Sequence, residues 1–189
     1  MICIIDCGTS WLEEIKKNLI GLGYSFRVIG LDGIKGCRFE SFSGIIISGA
    51  PILLTKVDLQ KYLKLFGFVK TVKVPILGIC FGHQIIGLEY GSGISIGKLI
   101  NKKERIEINR DDELWRGVKN RSLFREEHSE HITLPDRFYL LAKSESCDNE
   151  AMKHKEKRIY GVQFHPEVSG SSGKMLLENF LSPCSKKKV

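Results

Sequence analysis

The sequence predicts an α/β fold: a mostly parallel central sheet with helices on both faces and a small antiparallel extension. Two observations predict it. Through roughly the first 90 residues, short β-branched apolar runs alternate with segments of helical periodicity. From Ile94 to Phe164 the pattern changes to closely spaced strand-like runs before a last helical segment. The first pattern favours parallel strands joined by crossover helices, and folds of that kind collect functional residues at the carboxyl ends of their strands.

Taken in order, "MICIIDCG" reads as a buried strand. Ser10 and Glu13 form a capping-box pattern that opens a helix whose Leu12, Ile15, Leu19 and Leu22 share a face up to Gly23. "SFRVIG" is a strand, and a loop around "GLDGIKGCRFESF" leads to the strand "GIIISGAP". A helix is expected across "KVDLQKYLKLFGFVK", then the strand "VPILGI", then a helix in "GHQIIGLEYG". The runs "GKLINKKERIEI", "SLFREEH", "FYLLAKS", "EAMKH" and "RIYGVQF" supply the antiparallel extension, and "GKMLLENFL" the last helix. The glycines of "YGSGISIG" follow a helix rather than precede one, so they read as turn and strand glycines, not as a phosphate loop.

A chain of 189 residues with 42% apolar content is read as one domain spanning residues 1–189. No apolar run approaches the ~20 residues that cross a bilayer, and "MICIIDCGTS" lacks the features of a signal peptide. No membrane association is expected. The six cysteines are scattered and show no zinc-knuckle spacing, which suits reduced thiols in a cytoplasmic protein. The net charge of +7 raises the question of nucleic acid, but the basic residues are dispersed among 22 acids and only the terminal "SKKKV" is a run. A solvated tail explains that run, with a basic face for an acidic partner protein as the alternative.

The chemistry begins at "PILGICFGHQ". Gly78-Ile79-Cys80-Phe81-Gly82 resembles a strand-to-helix nucleophile elbow, where small flanking residues permit a sharp turn that exposes the central side chain. A cysteine at a helix N-terminus meets unpaired amides and a dipole that favour the thiolate. The pentapeptide alone equally fits an inert cysteine at the end of a core strand. "RIYGVQFHPEV" supplies a second constellation, because His165 and Glu167 at i, i+2 can lie on the same side of an extended strand end. Alone, that motif also fits a solvent-facing histidine beside a turn. Together the two motifs offer a cysteine nucleophile, a base and the carboxylate that orients it.

In order and spacing, the loop "SGAP", "GICFGHQ" and "GVQFHPE" resemble the class I (triad) glutamine amidotransferase domain over essentially the whole chain. Within that family, "REEHSEHITLP", "LAKSESC" and "EAMKHKEKRIYGVQFHPEV" are most similar to the separate glutaminase subunit of archaeal-type GMP synthetases. The resemblance implies a flavodoxin-like fold in which Cys80 attacks the glutamine side-chain amide, His165 transfers protons and Glu167 orients it. It implies an oxyanion hole from the backbone N–H groups of Phe81 and Ala50, and a glutamine site formed by Gln84 and the segment of Glu127, Ser129 and Glu130. Those acids and the histidines of His128-Ser-Glu-His131 equally fit a surface loop, and no metal is expected there because a third ligand is not evident.

Two departures stand out. Asp6-Cys7-Gly8-Thr9-Ser10 replaces a D-N-G-G-Q-like segment, and Ala50 replaces the second glycine of Ser-Gly-Gly-Pro, at a cost of about 1 kcal/mol if that position needs positive φ. The sequence holds neither a G-x-x-x-x-G-K-[ST] loop nor an S-G-G-x-D-S loop, so no cofactor is expected on this chain. The resemblance places ATP and Mg on a separate ATP-pyrophosphatase subunit, with the XMP-aminating subunit of GMP synthetase as the leading partner. A stand-alone γ-glutamyl thiol hydrolase and a catalytically silent regulatory module are the rival readings.

Overall fold

Strand β1 (Ile2–Asp6) sets the pattern for the core. Ile2 and Ile4 face one apolar cluster, while Cys3 and Ile5 face another, as the two-residue period of a strand buried on both faces requires. The computed structural model describes residues 1–184; the basic run Lys186 to Lys188 lies outside the described residues.

Helix α1 (Leu12–Gly21) follows β1, and then come β2 (Phe26–Gly30), β3 (Gly44–Ile47), α2 (Leu59–Phe66), β4 (Ile76–Ile79) and α3 (Phe81–Glu89). β1 lies between β2 and β3, and β3 pairs with β4, all in parallel. Ile15 and Leu19 of α1 pack on one face of the sheet, and Phe66 of α2 with Ile85 and Ile86 of α3 pack on the other. Each such fully buried side chain contributes about 1.5–3 kcal/mol of transfer free energy.

Beyond α3 the chain forms β5 (Ile94–Arg105), β6 (Glu107–Ile108), β7 (Leu123–Ile132), β8 (Phe138–Lys143), β9 (Ala151–His154), β10 (Ile159–Val162) and α4 (Gly170–Leu181). β5 and β7 pair as a separate antiparallel two-stranded sheet. β6, β8 and β9 extend the main sheet in antiparallel fashion, giving the order β2-β1-β3-β4-β10-β9-β8-β6. Among the described residues, no helix is long and apolar enough to cross a membrane.

Three local expectations are corrected. β10 does not belong to the antiparallel extension: it lies beside β4 in parallel, with Gly161 opposite Gly78. The Ser10 capping box does not form, because Asp6 Oδ1 accepts from the Gly8 and Thr9 amides and the chain enters α1 one residue later, at Trp11. Glu13 turns instead to Lys16 Nζ at 2.7 Å. The helix expected across residues 56–70 is only α2 in its α-helical part. Asp58 caps its start by accepting from Gln60 N, and beyond Phe66 the chain tightens into a 3₁₀ turn at Gly67–Lys70.

Candidate active site at the ends of β4 and β10

Cys80 joins β4 to α3 with φ 51° and ψ −104°, a conformation strained for a side chain with a Cβ. The flanking glycines make the turn possible. A Cβ on Gly78 would collide with the Gly82 backbone, and a Cβ on Gly82 would collide with the Ile47 carbonyl at the end of β3. The elbow is tied down where Cys80 N donates to Val162 O at 2.8 Å. The Phe81 amide, first in the helix, has no intrahelical acceptor.

That Val162 bond also places the second constellation. His165 lies three residues beyond β10, and its amide donates to Arg125 O at 2.8 Å. His165 Nδ1 is 2.9 Å from Glu167 Oε1, and both side chains are buried. Glu167 sits in a 3₁₀ turn opened by Pro166, and Gly173 of α4 packs so closely on the Pro166 carbonyl that no Cβ would fit. Trp11 meets the imidazole edge-on at 4.2 Å between centroids. Burial works to lower the His165 pKa, but Glu167 and a hydrogen bond with Cys80 outweigh it and raise the group to about 10. Those contacts favour the charged form of the His165 ring.

A pocket of about 220 Å³ opens over Cys80 and His165 and is lined by Trp11, Ala50, Pro51, Gln84, Glu127, Ser129 and Glu130, among others. All the proposed catalytic, oxyanion and glutamine-site residues except Glu167 and Phe81 border this space; Glu167 bonds to His165, and Phe81 follows Cys80 at the start of α3. Ala50 is not strained: among the described residues the only non-glycine positions with positive φ are Cys80 and Arg121. Its N–H has no backbone hydrogen-bond partner among the described residues. The expected cost of a missing glycine does not arise, because Gly49 makes the close approach: a Cβ there would stand 3.0 Å from His165 Cε1.

The structure separates the roles of the glutamine-site candidates. Glu127 points its carbonyl at Cys80 Sγ, 3.7 Å away, and its carboxylate toward Arg125 at 3.3 Å. The Glu130 carboxylate accepts from Leu54 N at 2.7 Å and Thr55 N at 2.8 Å, clamping the loop that carries Ala50 to Leu53. Gln84 Nε2 donates to Glu130 O and to Gln163 Oε1 at 3.1 and 3.2 Å.

Sequence reasoning missed Gln163, whose Nε2 donates to Cys80 Sγ at 3.6 Å, although it lies inside the motif "GVQFHPE". It also missed Trp11 and His83. His83 is fully buried against Gly161, and burial lowers its pKa to about 3, so it acts as a neutral core imidazole. Behind the pocket, Glu126 and Glu150 are buried, and burial raises Glu126 to about 8 and Glu150 well above the carboxylate range.

Comparison with known proteins agrees with this geometry. The sequence profile of the family described as Glutamine amidotransferase class-I matches residues 3–184. The chain is 37% identical to a subunit of the glutamine-hydrolyzing GMP synthase of Pyrococcus abyssi, covering 97% of this chain and 98% of that protein. The corresponding subunit of Methanosarcina mazei is 40% identical, with 97% and 96% covered. A crystal structure from Thermoplasma acidophilum superposes with a TM-score of 0.88 at 29% identity, covering 97% of this chain and 92% of the other. A glutamine amidotransferase from Thermotoga maritima shares the fold, with a TM-score of 0.72 at 23% identity over 100% of this chain and 85% of the other. The chain belongs to the class I glutamine amidotransferase family and is closely related to these archaeal subunits of glutamine-hydrolyzing GMP synthase.

Proposed function

We propose that the chain is the glutamine-hydrolysing subunit of a two-subunit GMP synthetase, releasing ammonia through a Cys80 thioester and passing it to a separate ATP-dependent synthetase that aminates XMP. The observation that carries this reading is the elbow cysteine at positive φ, set beside a buried His165–Glu167 pair over one pocket. The subunit relationship rests on relatives that are themselves subunits of glutamine-hydrolyzing GMP synthase and whose lengths this chain spans almost fully.

In the proposed reaction the Cys80 thiolate attacks the side-chain amide carbon of glutamine. The carbonyl electrons move onto oxygen, where the Phe81 and Ala50 amides receive the negative charge. The His165 imidazolium gives its proton to the leaving nitrogen, so ammonia departs and the γ-glutamyl thioester remains. His165, now neutral, takes a proton from water as the water attacks the thioester, and glutamate leaves as the thiolate is restored. Glu167 holds the ring with Nδ1 toward its carboxylate and stabilises each imidazolium stage. Gln163, Gln84 and the Glu127 carbonyl shape the space in which the glutamine amide sits.

Glutamate release by the wild-type chain and by Cys80→Ser, each with and without the ATP-pyrophosphatase subunit, XMP and ATP, tests the proposal. Release that needs Cys80 and rises with the partner supports it. Release that needs Cys80 but is faster on γ-glutamyl peptides and ignores the partner points to a stand-alone hydrolase, and no release in any mixture points to a silent module.

A further inference from the structure

We propose that Glu126, His128 and Glu150 form a site for a divalent transition-metal ion, of the kind that Zn²⁺ or Mn²⁺ occupies, which pins the two-stranded sheet to the main sheet behind the catalytic pocket. One ligand atom from each residue lies within 4.8 Å of the others, and all three residues are buried. Nitrogen and carboxylate-oxygen bonds to such an ion are about 2.0–2.2 Å, so closing the set around it needs movements of under about an ångström. One imidazole and two carboxylates are a donor set suited to these metals.

Hydrogen bonding in the cluster points to a missing positive charge. Both oxygens of Glu126, Oε2 of Glu150 and Nε2 of His128 are buried, and with both carboxylates ionised none of them meets a donor; Glu126 and Glu150 face each other closely enough to share one proton or one cation. His128 Nδ1 faces the Glu130 carbonyl at 3.3 Å, and a carbonyl can only accept. That contact assigns the proton to Nδ1 and leaves Nε2 with a lone pair aimed at Glu126 Oε2, 3.3 Å away. Two lone pairs facing each other repel unless a cation or a proton lies between them. A carbonyl accepting from the far nitrogen is also the usual way a metal-bound imidazole is oriented.

No lysine or arginine among the described residues supplies the charge, and the His165 ring, whose charge reaches Glu126, is already paired with Glu167. Among the described residues no lysine or arginine pairs with Glu126 or Glu150; Lys102 reaches only Glu104, at 2.8 Å. The single hydroxyl hydrogen of Ser144 is shared between Glu150 Oε1 at 2.6 Å and Glu104 Oε2 at 3.2 Å, so it satisfies one of them. Ser144 and Glu104 also border a second pocket, of about 540 Å³. The sequence suggested no metal at His128 and His131 for want of a third ligand. The fold instead brings up Glu126 and Glu150, and His131 is not among the donors.

The position gives the ion a structural task. Glu126 and His128 belong to β7, while Glu150 precedes β9 and its carbonyl accepts from Gln163 N at 2.8 Å. An ion shared by these residues would fix β7, and with it the Glu127 carbonyl beside Cys80, against the segment after β10 that carries Gln163 and His165.

The test uses the full chain, stripped with dipicolinate, dialysed, and then exposed separately to Zn²⁺ and Mn²⁺. Bound metal is counted by mass spectrometry and thermal melting is followed. The expected result is one equivalent of at least one of these ions, a melting point several degrees higher with it, at least tenfold weaker binding in Glu126→Gln and in Glu150→Gln, and unchanged binding in Cys37→Ser. Stoichiometry on the wild-type chain decides the matter even where a variant folds poorly. No retained ion, undiminished binding in both glutamine variants, or binding lost only in Cys37→Ser would overturn the site, the first leaving a shared proton as the occupant. Because metal content and melting do not depend on glutamine turnover, failure here is distinct from failure of the glutaminase reading.

Discussion

Glu130→Gln separates a residue that binds glutamine by its side chain from one that holds the pocket together. In the wild type the carboxylate accepts two peptide N–H groups, from Leu54 at 2.7 Å and Thr55 at 2.8 Å. A glutamine keeps one acceptor and turns an NH₂ toward the other amide, so one hydrogen bond to a charged group is lost and the second becomes neutral. With bonds to charged acceptors contributing about 1.5–3 kcal/mol, the loop is released by about 3 kcal/mol. At about 1.36 kcal/mol per tenfold, local opening becomes roughly 100-fold more frequent. Hydrogen exchange of the Leu54 and Thr55 amides should accelerate by that factor. The fall in kcat should exceed the rise in the glutamine KM, because the Ala50 amide that receives the oxyanion is displaced while Cys80 and His165 stay in place. Unchanged exchange at those two amides would refute the clamp, and so would an effect confined to KM.

Three further outcomes follow from the same geometry. His165 is raised above its ordinary value of 6.5, so its charged form stabilises the fold; that contribution is full below about 6.5 and is lost as pH rises through about 10. Glu167→Gln should move the alkaline limb of kcat/KM down by at least about one pH unit and lower the melting point at pH 8, and an unmoved limb would remove Glu167 as the source of the shift. Gly82→Ala drives a methyl into the Ile47 carbonyl, for which overpacking costs of about 1–3 kcal/mol and a roughly 100-fold loss of turnover from a displaced nucleophile are expected; wild-type turnover would show that the elbow tolerates a Cβ there. Ala50→Gly should leave turnover within about twofold, since Ala50 holds no positive φ to relieve, and a tenfold gain would show that the loop is strained after all.

The parallel half of the fold was legible because β1, β3 and β4 are buried on both faces and read as unbroken apolar runs. The placement of β10 was not. "RIYGVQF" looks like any short strand, and its pairing with β4 is a long-range choice set by the backbone contact of Gly161 with Gly78 and by His83 filling the space beside Gly161. The elbow and the His165–Glu167 pair were legible because their spacing is short and their residue types are few. Gln163 and Trp11 were not, since a glutamine just past a core strand and a tryptophan before a helix carry no local mark of a neighbouring elbow cysteine. The Glu130 clamp and the Glu126–His128–Glu150 cluster join β7 to segments more than 20 residues away, and no local pattern encodes that meeting.

The central claim is covalent chemistry at Cys80. The most direct measurement is rapid acid quench of the chain during turnover of labelled glutamine, followed by peptide mass spectrometry. The account predicts a γ-glutamyl group on the peptide containing Cys80, absent in Cys80→Ser and accumulating in a variant that slows thioester hydrolysis. Turnover with no adduct at Cys80, or with the adduct on another cysteine, would contradict it.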